Sequence, residues 1–283
     1  MSATVYTMRA IHRRHPDYRS GGESTVTDET STTIDDVGSR SSASRYREVP
    51  SRSSALRFAL AGFVALVLGA LLVAWIAHDL HAANARDLPL NRWFHDRAAS
   101  GGVVHSLSEW VSWIGAGERT VPIELAFAGV LLVARRWRWS VFLVVSSMGG
   151  LAIATSLKSL VGRPRPPWFI IYPGQRPLTF PSFPSGHTFA GIAGWVAMAI
   201  VLLFVLPRPW ATVTATVVAV IGVANGPSRL FLGKHWVTDI LGAWLLGSAW
   251  LLLVWAAFLL WLAPRRDGEP PPPGDRVAGV PRS

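Results

Sequence analysis

A histidine and an aspartate near the end of the chain have the spacing that catalysis by an imidazole requires. His235 and Asp239 are four residues apart, so on a helix they share one face and the carboxylate can reach the ring. A carboxylate bound to one ring nitrogen fixes the tautomer and leaves the lone pair of the other nitrogen free to attack. Arg229, six residues before the histidine, carries a planar guanidinium suited to phosphate. The pattern indicates nucleophilic chemistry at phosphorus, although a cluster of snorkelling side chains at a membrane interface is an alternative for this stretch alone.

A second group of basic residues lies at the end of an earlier apolar run. Lys158, one of the chain's two lysines, ends that run, and Arg163 and Arg165 follow within seven residues. Because only two of the 27 basic residues are lysines, a lysine at this position is informative. Together with Arg229, these side chains could neutralise a phosphate group without a metal ion. The residues alone leave open which of the two arginines would contact the phosphate.

A third polar cluster, Pro184-Ser-Gly-His187, opens another apolar run. It precedes a predicted helix, whose free backbone N–H groups and positive dipole end attract an anion. Gly186 allows that backbone to come close to the anion. Read alone, Ser185 is an ordinary helix N-cap. The adjacent His187 and the two other clusters favour an anion site instead.

All three segments together form one specific pattern. The K-x6-RP segment that begins at Lys158, the PSGH segment that begins at Pro184 and the SR-x5-H-x3-D segment that begins at Ser228 are complete and in order. This pattern resembles the type 2 phosphatidic acid phosphatase family, which is related to the vanadium haloperoxidases. The resemblance covers roughly Leu56 to Leu262. It implies an integral membrane phosphatase that acts on a phosphomonoester or pyrophosphate lipid.

The resemblance also implies a role for each motif residue. His235 is the nucleophile that forms a phosphohistidine, Asp239 orients and charges its imidazole, and His187 protonates the leaving oxygen and then activates water. The family register places a phosphate contact on Arg165 rather than on Arg163. The phosphate-binding residues expected from the resemblance are Lys158, Arg165, Ser185, Gly186 and Arg229. No carboxylate cluster suited to Mg²⁺ or Zn²⁺ accompanies them, so we expect no metal and no cofactor.

The composition is that of a polytopic membrane protein. Half of the 283 residues are apolar and only 16% are charged. The net charge of +10 comes mostly from arginines at the chain ends and in loops, which is typical of positive cytoplasmic flanks. These arginines form no stripe interleaved with aromatic residues, so we expect no nucleic-acid binding. The chain has no cysteine, which excludes disulfides and thiolate chemistry.

Six apolar runs predict an all-α domain of six transmembrane helices over residues 55–263. Residues 1–54 and the Pro-rich residues 264–283 are expected to be disordered tails, and no secretory signal is expected, because the first long apolar run comes too late. Between the first two runs, from residue 78 to about residue 117, we expect short amphipathic helices at the outer interface. Glu124 is expected near the interface rather than as a buried acid. The predicted spans are about 58–77, 120–134, 141–157, 187–206, 211–224 and 237–262.

Basic residues predict the orientation of these spans. Arginines crowd residues 45–57, 135–138 and 265–266, which places both tails in the cytoplasm. With six spans, all three motifs then fall on the extracytoplasmic face, where a lipid could present its headgroup. We therefore expect a multi-pass protein of the cell membrane whose active site faces outwards.

Two substrate classes and one non-enzymatic role remain open. The substrate could be a lipid phosphomonoester or a polyprenyl pyrophosphate of the undecaprenyl type, because nothing in the three motifs selects a lipid tail. A catalytically silent lipid transporter or scaffold is the alternative from another class. The intact His187, His235 and Asp239 speak against it. A haloperoxidase is disfavoured, because those relatives are large soluble helical proteins. No feature of the sequence favours a particular oligomeric state.

Overall fold

The computed structural model describes residues 47–169 and 181–262, and all regular secondary structure in these two ranges is helical. Helix α6 contains a π-helical segment, Gly191–Val196. The all-α prediction is confirmed for the described residues. Their helices are α1 (Arg52–His78), α2 (Leu80–Ala99), α3 (Val103–Ile114), α4 (Gly117–Val133), α5 (Trp137–Val161), α6 (Gly186–Val205), α7 (Arg208–Phe231) and α8 (Val237–Leu262).

Five of these helices, α1, α5, α6, α7 and α8, are long and apolar enough to cross a bilayer. Each has at least 20 residues, and about 20 residues span the ~30 Å hydrocarbon layer. The second predicted span corresponds to α4, which has 17 residues and would cover only about 25 Å. The count of six spans therefore stays a prediction, whereas a multi-pass membrane protein is supported by the five longer helices.

The predicted tails lie almost entirely outside the described residues. Helix α1 begins at Arg52, and residues 47–51 form no helix. Residues 1–46 and 263–283 fall outside the described ranges, as do residues 170–180 of segment 162–184, whose prolines and glycines predict an irregular loop. The described parts of that segment, 162–169 and 181–184, contain no regular secondary structure.

Two apolar clusters hold the helices together at different depths. An aromatic cluster joins the start of α5, the end of α6 and the last turns of α8. A second cluster joins the opposite ends of the same helices and includes Phe183, Phe189 and Leu246. Helix α1 packs along α8 and turns many large apolar side chains outwards, as expected of a lipid-facing helix. The second cluster supports the end of the bundle where the three sequence motifs meet.

Glu124 is buried within the bundle, so the expectation that it is not a buried acid was wrong. Its side chain is only 2% exposed, inside α4. One carboxylate oxygen accepts a hydrogen bond from the hydroxyl of Ser147 on α5. The other carboxylate oxygen lies against Gly194 in the π-helical segment, where a Cβ atom would overlap it. A residue without a side chain at position 194 therefore makes room for the buried acid.

Candidate active site

The three sequence motifs meet at one end of the bundle. The C-terminal ends of α5 and α7 and the N-terminal ends of α6 and α8 deliver them. Lys158 lies in the last turn of α5 and Arg229 in the last turn of α7, while Asp239 lies in the first turn of α8. The structure thus brings together all the predicted site residues: Lys158, Arg165, Ser185, Gly186, His187, Arg229, His235 and Asp239.

The predicted pair of His235 and Asp239 forms a buried hydrogen-bonded unit. His235 Nδ1 lies 3.1 Å from Asp239 Oδ2, and the two side chains are 2% and 0% exposed. The same carboxylate oxygen accepts a hydrogen bond from the backbone N–H of Trp236 at 3.0 Å. The aspartate therefore holds both the imidazole and the turn that precedes α8.

The tautomer of His235 follows from the two groups that contact its ring. Arg165 Nη1 lies 3.3 Å from His235 Nε2. A guanidinium can only donate hydrogen bonds, so Nε2 must be the accepting nitrogen with the free lone pair. The ring proton then sits on Nδ1, where Asp239 accepts it. Both contacts leave the lone pair of Nε2 on the side of Arg165, where a phosphate group could bind.

The protonation state of His235 also suits a nucleophile. Burial lowers the pKa of His235 well below its ordinary value, and the charges of Arg165, Arg229 and Lys158 lower it further. The imidazole is therefore neutral near pH 7. Burial likewise lowers the pKa of Arg165, although the negative charge of Asp239 opposes this shift. These arginine and lysine charges would stabilise a dianionic phosphate beside the ring.

Arg163 points away from the phosphate position and into the protein. It is 0% exposed, and its guanidinium donates to the side chains of Asp87 at 2.9 Å and Asp239 at 2.8 Å. It also donates to Asn84 Oδ1 at 2.9 Å and to Thr238 Oγ1 at 2.6 Å. The guanidinium of Arg163 is thus engaged with these four side chains, whereas the resemblance places the expected phosphate contact on Arg165.

The PSGH segment lies directly beside Lys158 and Asp239. Ser185 is fully buried, and its backbone N–H donates to the backbone oxygen of Asp239 at 3.2 Å. Its hydroxyl accepts a hydrogen bond from Thr188 and makes no capping bond to the helix, so the simple N-cap reading does not describe it. A Cβ atom on Gly186 would lie 3.7 Å from Cε of Lys158. The lysine ammonium donates to the backbone oxygens of residues 181 and 182, at 2.9 and 3.4 Å.

A cavity of about 800 Å³ opens next to His187. His187, Arg229 and Lys234 line it, together with residues of α3 and of the start of α4. Nη1 of the buried Arg229 donates to the hydroxyl of Ser112 on α3, while its Nε has no hydrogen-bond partner among the described residues. Helix α3 therefore orients an arginine that the sequence placed in the phosphate site. The described residues contain no group of three or more His, Cys, Asp or Glu side chains that could hold a metal ion.

Comparisons with known proteins show the family of this chain. A family model described as the PAP2 superfamily matches residues 139–262, which include all three motifs. Phosphatidylglycerophosphatase B of Bacillus subtilis is 31% identical to this chain over 147 residues, which make up 51% of this chain and 70% of that protein. The chain belongs to the PAP2 superfamily.

Other relatives in the PAP2 superfamily match shorter parts of their own length. An undecaprenyl-diphosphatase of Sulfolobus acidocaldarius is 29% identical over 143 residues, or 48% of this chain and 61% of that protein. Phosphatidylglycerophosphatase B of Escherichia coli K12 is 37% identical over 94 residues, or 33% of this chain and 34% of that protein. The fold resembles the crystal structure of a transmembrane PAP2 type phosphatidylglycerolphosphate phosphatase from Bacillus subtilis. The TM-score is 0.55 at 22% identity, over 68% of this chain and 93% of that one.

Helix α2 supplies three polar residues that the sequence analysis missed, and they lie outside the part matched by the PAP2 family model. Asn91 donates from Nδ2 to the backbone oxygen of His235 at 2.7 Å and accepts from the backbone N–H of Val237 at 2.9 Å. Asp87 accepts from the backbone N–H and hydroxyl of Thr238 as well as from Arg163. Asn84, Asp87 and Asn91 follow one another at i, i+3 and i+7, so they share one helix face. This polar stripe was the signal in the sequence that could have identified the three residues. The sequence-based prediction instead placed the amphipathic helix at the outer interface.

Proposed function

We propose that this PAP2-type membrane phosphatase removes the terminal phosphoryl group from a phosphomonoester or pyrophosphate lipid through a phosphohistidine at His235. The observation that carries the proposal is the orientation of this ring. Its Nδ1 lies 3.1 Å from Asp239, and its Nε2 lies 3.3 Å from a cation suited to phosphate, Arg165. The relatives named for phosphatidylglycerophosphate and undecaprenyl diphosphate support a lipid substrate.

The first step transfers the phosphoryl group to the enzyme. The phosphate oxygens bind Lys158, Arg165 and Arg229, and Arg165 exchanges the ring nitrogen for a phosphate oxygen as its acceptor. The lone pair of His235 Nε2 forms a bond to phosphorus while the bond from phosphorus to the leaving oxygen breaks. His187 gives its proton to that leaving oxygen. Cations and backbone N–H groups of the PSGH segment stabilise the charge that develops on the phosphoryl oxygens.

The second step returns the enzyme to its first state. His187, now neutral, takes a proton from a water molecule, whose oxygen attacks the phosphorus of the phosphohistidine. The bond from phosphorus to Nε2 breaks, its electron pair returns to the ring nitrogen, and inorganic phosphate leaves. Asp239 keeps the Nδ1 proton of His235 in place through both steps. We assign this chemistry to residues 55–263 and, with the membrane orientation that the arginines predict, to the extracytoplasmic face.

Substitution of the two histidines tests the mechanism. Phosphate release from phosphatidic acid should fall to background in His235→Ala and by about 10²- to 10⁴-fold in His187→Ala, the usual contribution of a general acid. On p-nitrophenyl phosphate, whose leaving group needs less protonation, His187→Ala should lose less activity. Vanadate, which resembles the transferring phosphoryl group, should bind far more weakly to His235→Ala than to His187→Ala.

The controls separate loss of chemistry from loss of fold. His81→Ala changes an exposed histidine of α2 and should behave as wild type, and thermal unfolding should show that all three variants are folded. Equal vanadate affinity in both active-site variants, or a phosphohistidine trapped at position 187, would mean that the two roles are reversed. If purified wild-type protein released no phosphate from any lipid phosphate or pyrophosphate, the silent transporter or scaffold would be the better explanation.

A further inference from the structure

The cavity beside His187 lies on the leaving-group side of the proposed site. His187, Arg229 and Lys234 line it, whereas the nucleophile His235 is only 2% exposed and is not among the described residues that line it. The phosphoryl group would bind between the two histidines, so whatever it is attached to must extend into this cavity. At about 800 Å³, the cavity is far larger than one phosphate group.

Lys234 brings a positive charge to this cavity. Its side chain is half-buried in the turn between α7 and α8, and its ammonium makes no hydrogen bond or ion pair with any described residue. Its backbone is fixed on both sides, since its N–H donates to the oxygen of Arg229 at 2.9 Å and its carbonyl accepts from Arg165 at 2.7 Å. The lysine is therefore held against the phosphate site by its main chain, with its charge left available to a ligand.

Among the described residues that line the cavity, the other cation besides the phosphate-site residue Arg229 is Arg119, and it already has a charged partner. Arg119 pairs with Glu118 at 2.9 Å and stacks on the ring of Trp113, 4.4 Å from its centre. Glu109 lies 3.4 Å from His105 on the same helix, and its negative charge also acts on Lys234. Within the described part of the chain, a negative group that enters the cavity thus finds Lys234 without a hydrogen bond or ion pair, next to Arg229.

Burial and the nearby Arg229 lower the pKa of Lys234 to about 8, against the opposing effect of Glu109. The ammonium is therefore mostly protonated at pH 7. A second negative group that bound there would favour the charged form and bind more tightly below pH 8 than above it.

We infer that Lys234 binds the second phosphoryl group of a lipid diphosphate and so favours diphosphate over monophosphate lipids. This inference rests on the proposed function. When His235 Nε2 attacks the terminal phosphorus of a diphosphate, the bond to the bridging oxygen breaks and its electron pair stays on that oxygen. The leaving group is then a lipid monophosphate, whose growing negative charge Lys234 neutralises. A lipid monophosphate releases an uncharged alcohol after protonation by His187, and the lysine has no phosphoryl group to contact.

Two substrates with the same lipid tail test this assignment. Farnesyl diphosphate and farnesyl monophosphate differ only in the second phosphoryl group, so the ratio of their kcat/KM values isolates its contribution. In Lys234→Met this ratio should fall about tenfold to a hundredfold, the effect of losing one hydrogen bond to a charged group. Lys234→Arg keeps the charge and should retain most of the ratio. In wild type the ratio should decline as the pH rises through about 8.

Arg119→Met is the matched control, because it removes one positive charge from the same cavity but from a side chain that is already paired. It should change the ratio less than about threefold. An unchanged ratio in Lys234→Met, or an equal fall in Arg119→Met, would overturn the assignment.

Competitive inhibition by inorganic pyrophosphate and by phosphate provides a second readout. Lys234→Met should weaken inhibition by pyrophosphate much more than inhibition by phosphate. If wild-type protein hydrolysed neither farnesyl substrate nor phosphatidic acid, the proposed function itself would fail, which is a different result from an unchanged ratio.

Discussion

Arg163 and Arg165 are two residues apart in sequence, and the structure gives them separate tasks that substitution can distinguish. Arg163 is 0% exposed and lies between two buried carboxylates, Asp87 and Asp239. Arg163→Met would leave both carboxylates without their cation. Breaking a buried ion pair by removing one partner costs about 3–5 kcal/mol, a large part of the roughly 5–15 kcal/mol that stabilises a typical folded domain. We expect the melting temperature of Arg163→Met to fall by about 10 °C or more.

Arg165→Met removes a half-buried side chain that donates to the backbone oxygen of Lys234 and to His235. Loss of these contacts should cost about 1 kcal/mol of stability, because the site stays accessible to water. Catalysis should suffer much more, since one missing donor to a developing oxyanion lowers kcat by about 10²- to 10³-fold. Arg165→Met is therefore expected to be folded and nearly inactive.

The assay measures thermal unfolding by tryptophan fluorescence and phosphate release on the same detergent-purified samples. Arg92→Met changes an exposed arginine of α2 and should keep both stability and activity, with a stability change within about 0.5 kcal/mol. An Arg163→Met protein as stable as wild type would refute the structural role given to this residue. An Arg165→Met protein with normal kcat would refute the assignment of its neighbour to the phosphate.

Two further predictions concern the cofactor and the membrane orientation. Activity should survive excess EDTA, because lysine and arginine side chains neutralise the phosphate, and a loss of turnover that Mg²⁺ restores would contradict this. Reporter fusions after Trp139 and after Pro264 should report cytoplasm and one near Gly174 the outer side, and the opposite pattern would place the site in the cytoplasmic leaflet.

Local features of the site could be predicted from the sequence because they depend on spacing along one chain segment. The contact between His235 and Asp239 follows from their i, i+4 positions, and the ends of α6 and α8 follow from long apolar runs. The fifth predicted span ends at about residue 224, whereas α7 continues to Phe231. The prediction missed the last two turns because Asn225, Ser228 and Arg229 interrupt the apolar run there. Apolar patterning alone cannot detect a membrane helix that carries its own functional residues.

Contacts between distant segments could not be predicted in this way. Asn91 and His235 are 144 residues apart, and nothing in the sequence around either residue indicates the other. Glu124 was expected near the interface because it falls in the first turns of the second predicted span. Its burial depends on a hydrogen bond from a serine of α5 and on the absence of a side chain at Gly194 of α6. In both cases the partner comes from another helix, so only the packed bundle identifies it.

The buried charges around Asp239 explain why α2 belongs to the active site. Arg163 lies 2.8 Å from Asp239, and a cation so close would weaken the attraction between this carboxylate and the imidazole of His235. Asp87 adds a second carboxylate to the same arginine at 2.9 Å, so the three side chains together carry one net negative charge. That charge remains available to stabilise positive charge on the ring in the proposed phosphohistidine. Helix α2 thus supplies both the hydrogen bonds that fix the turn before α8 and the negative charge that Arg163 would otherwise cancel.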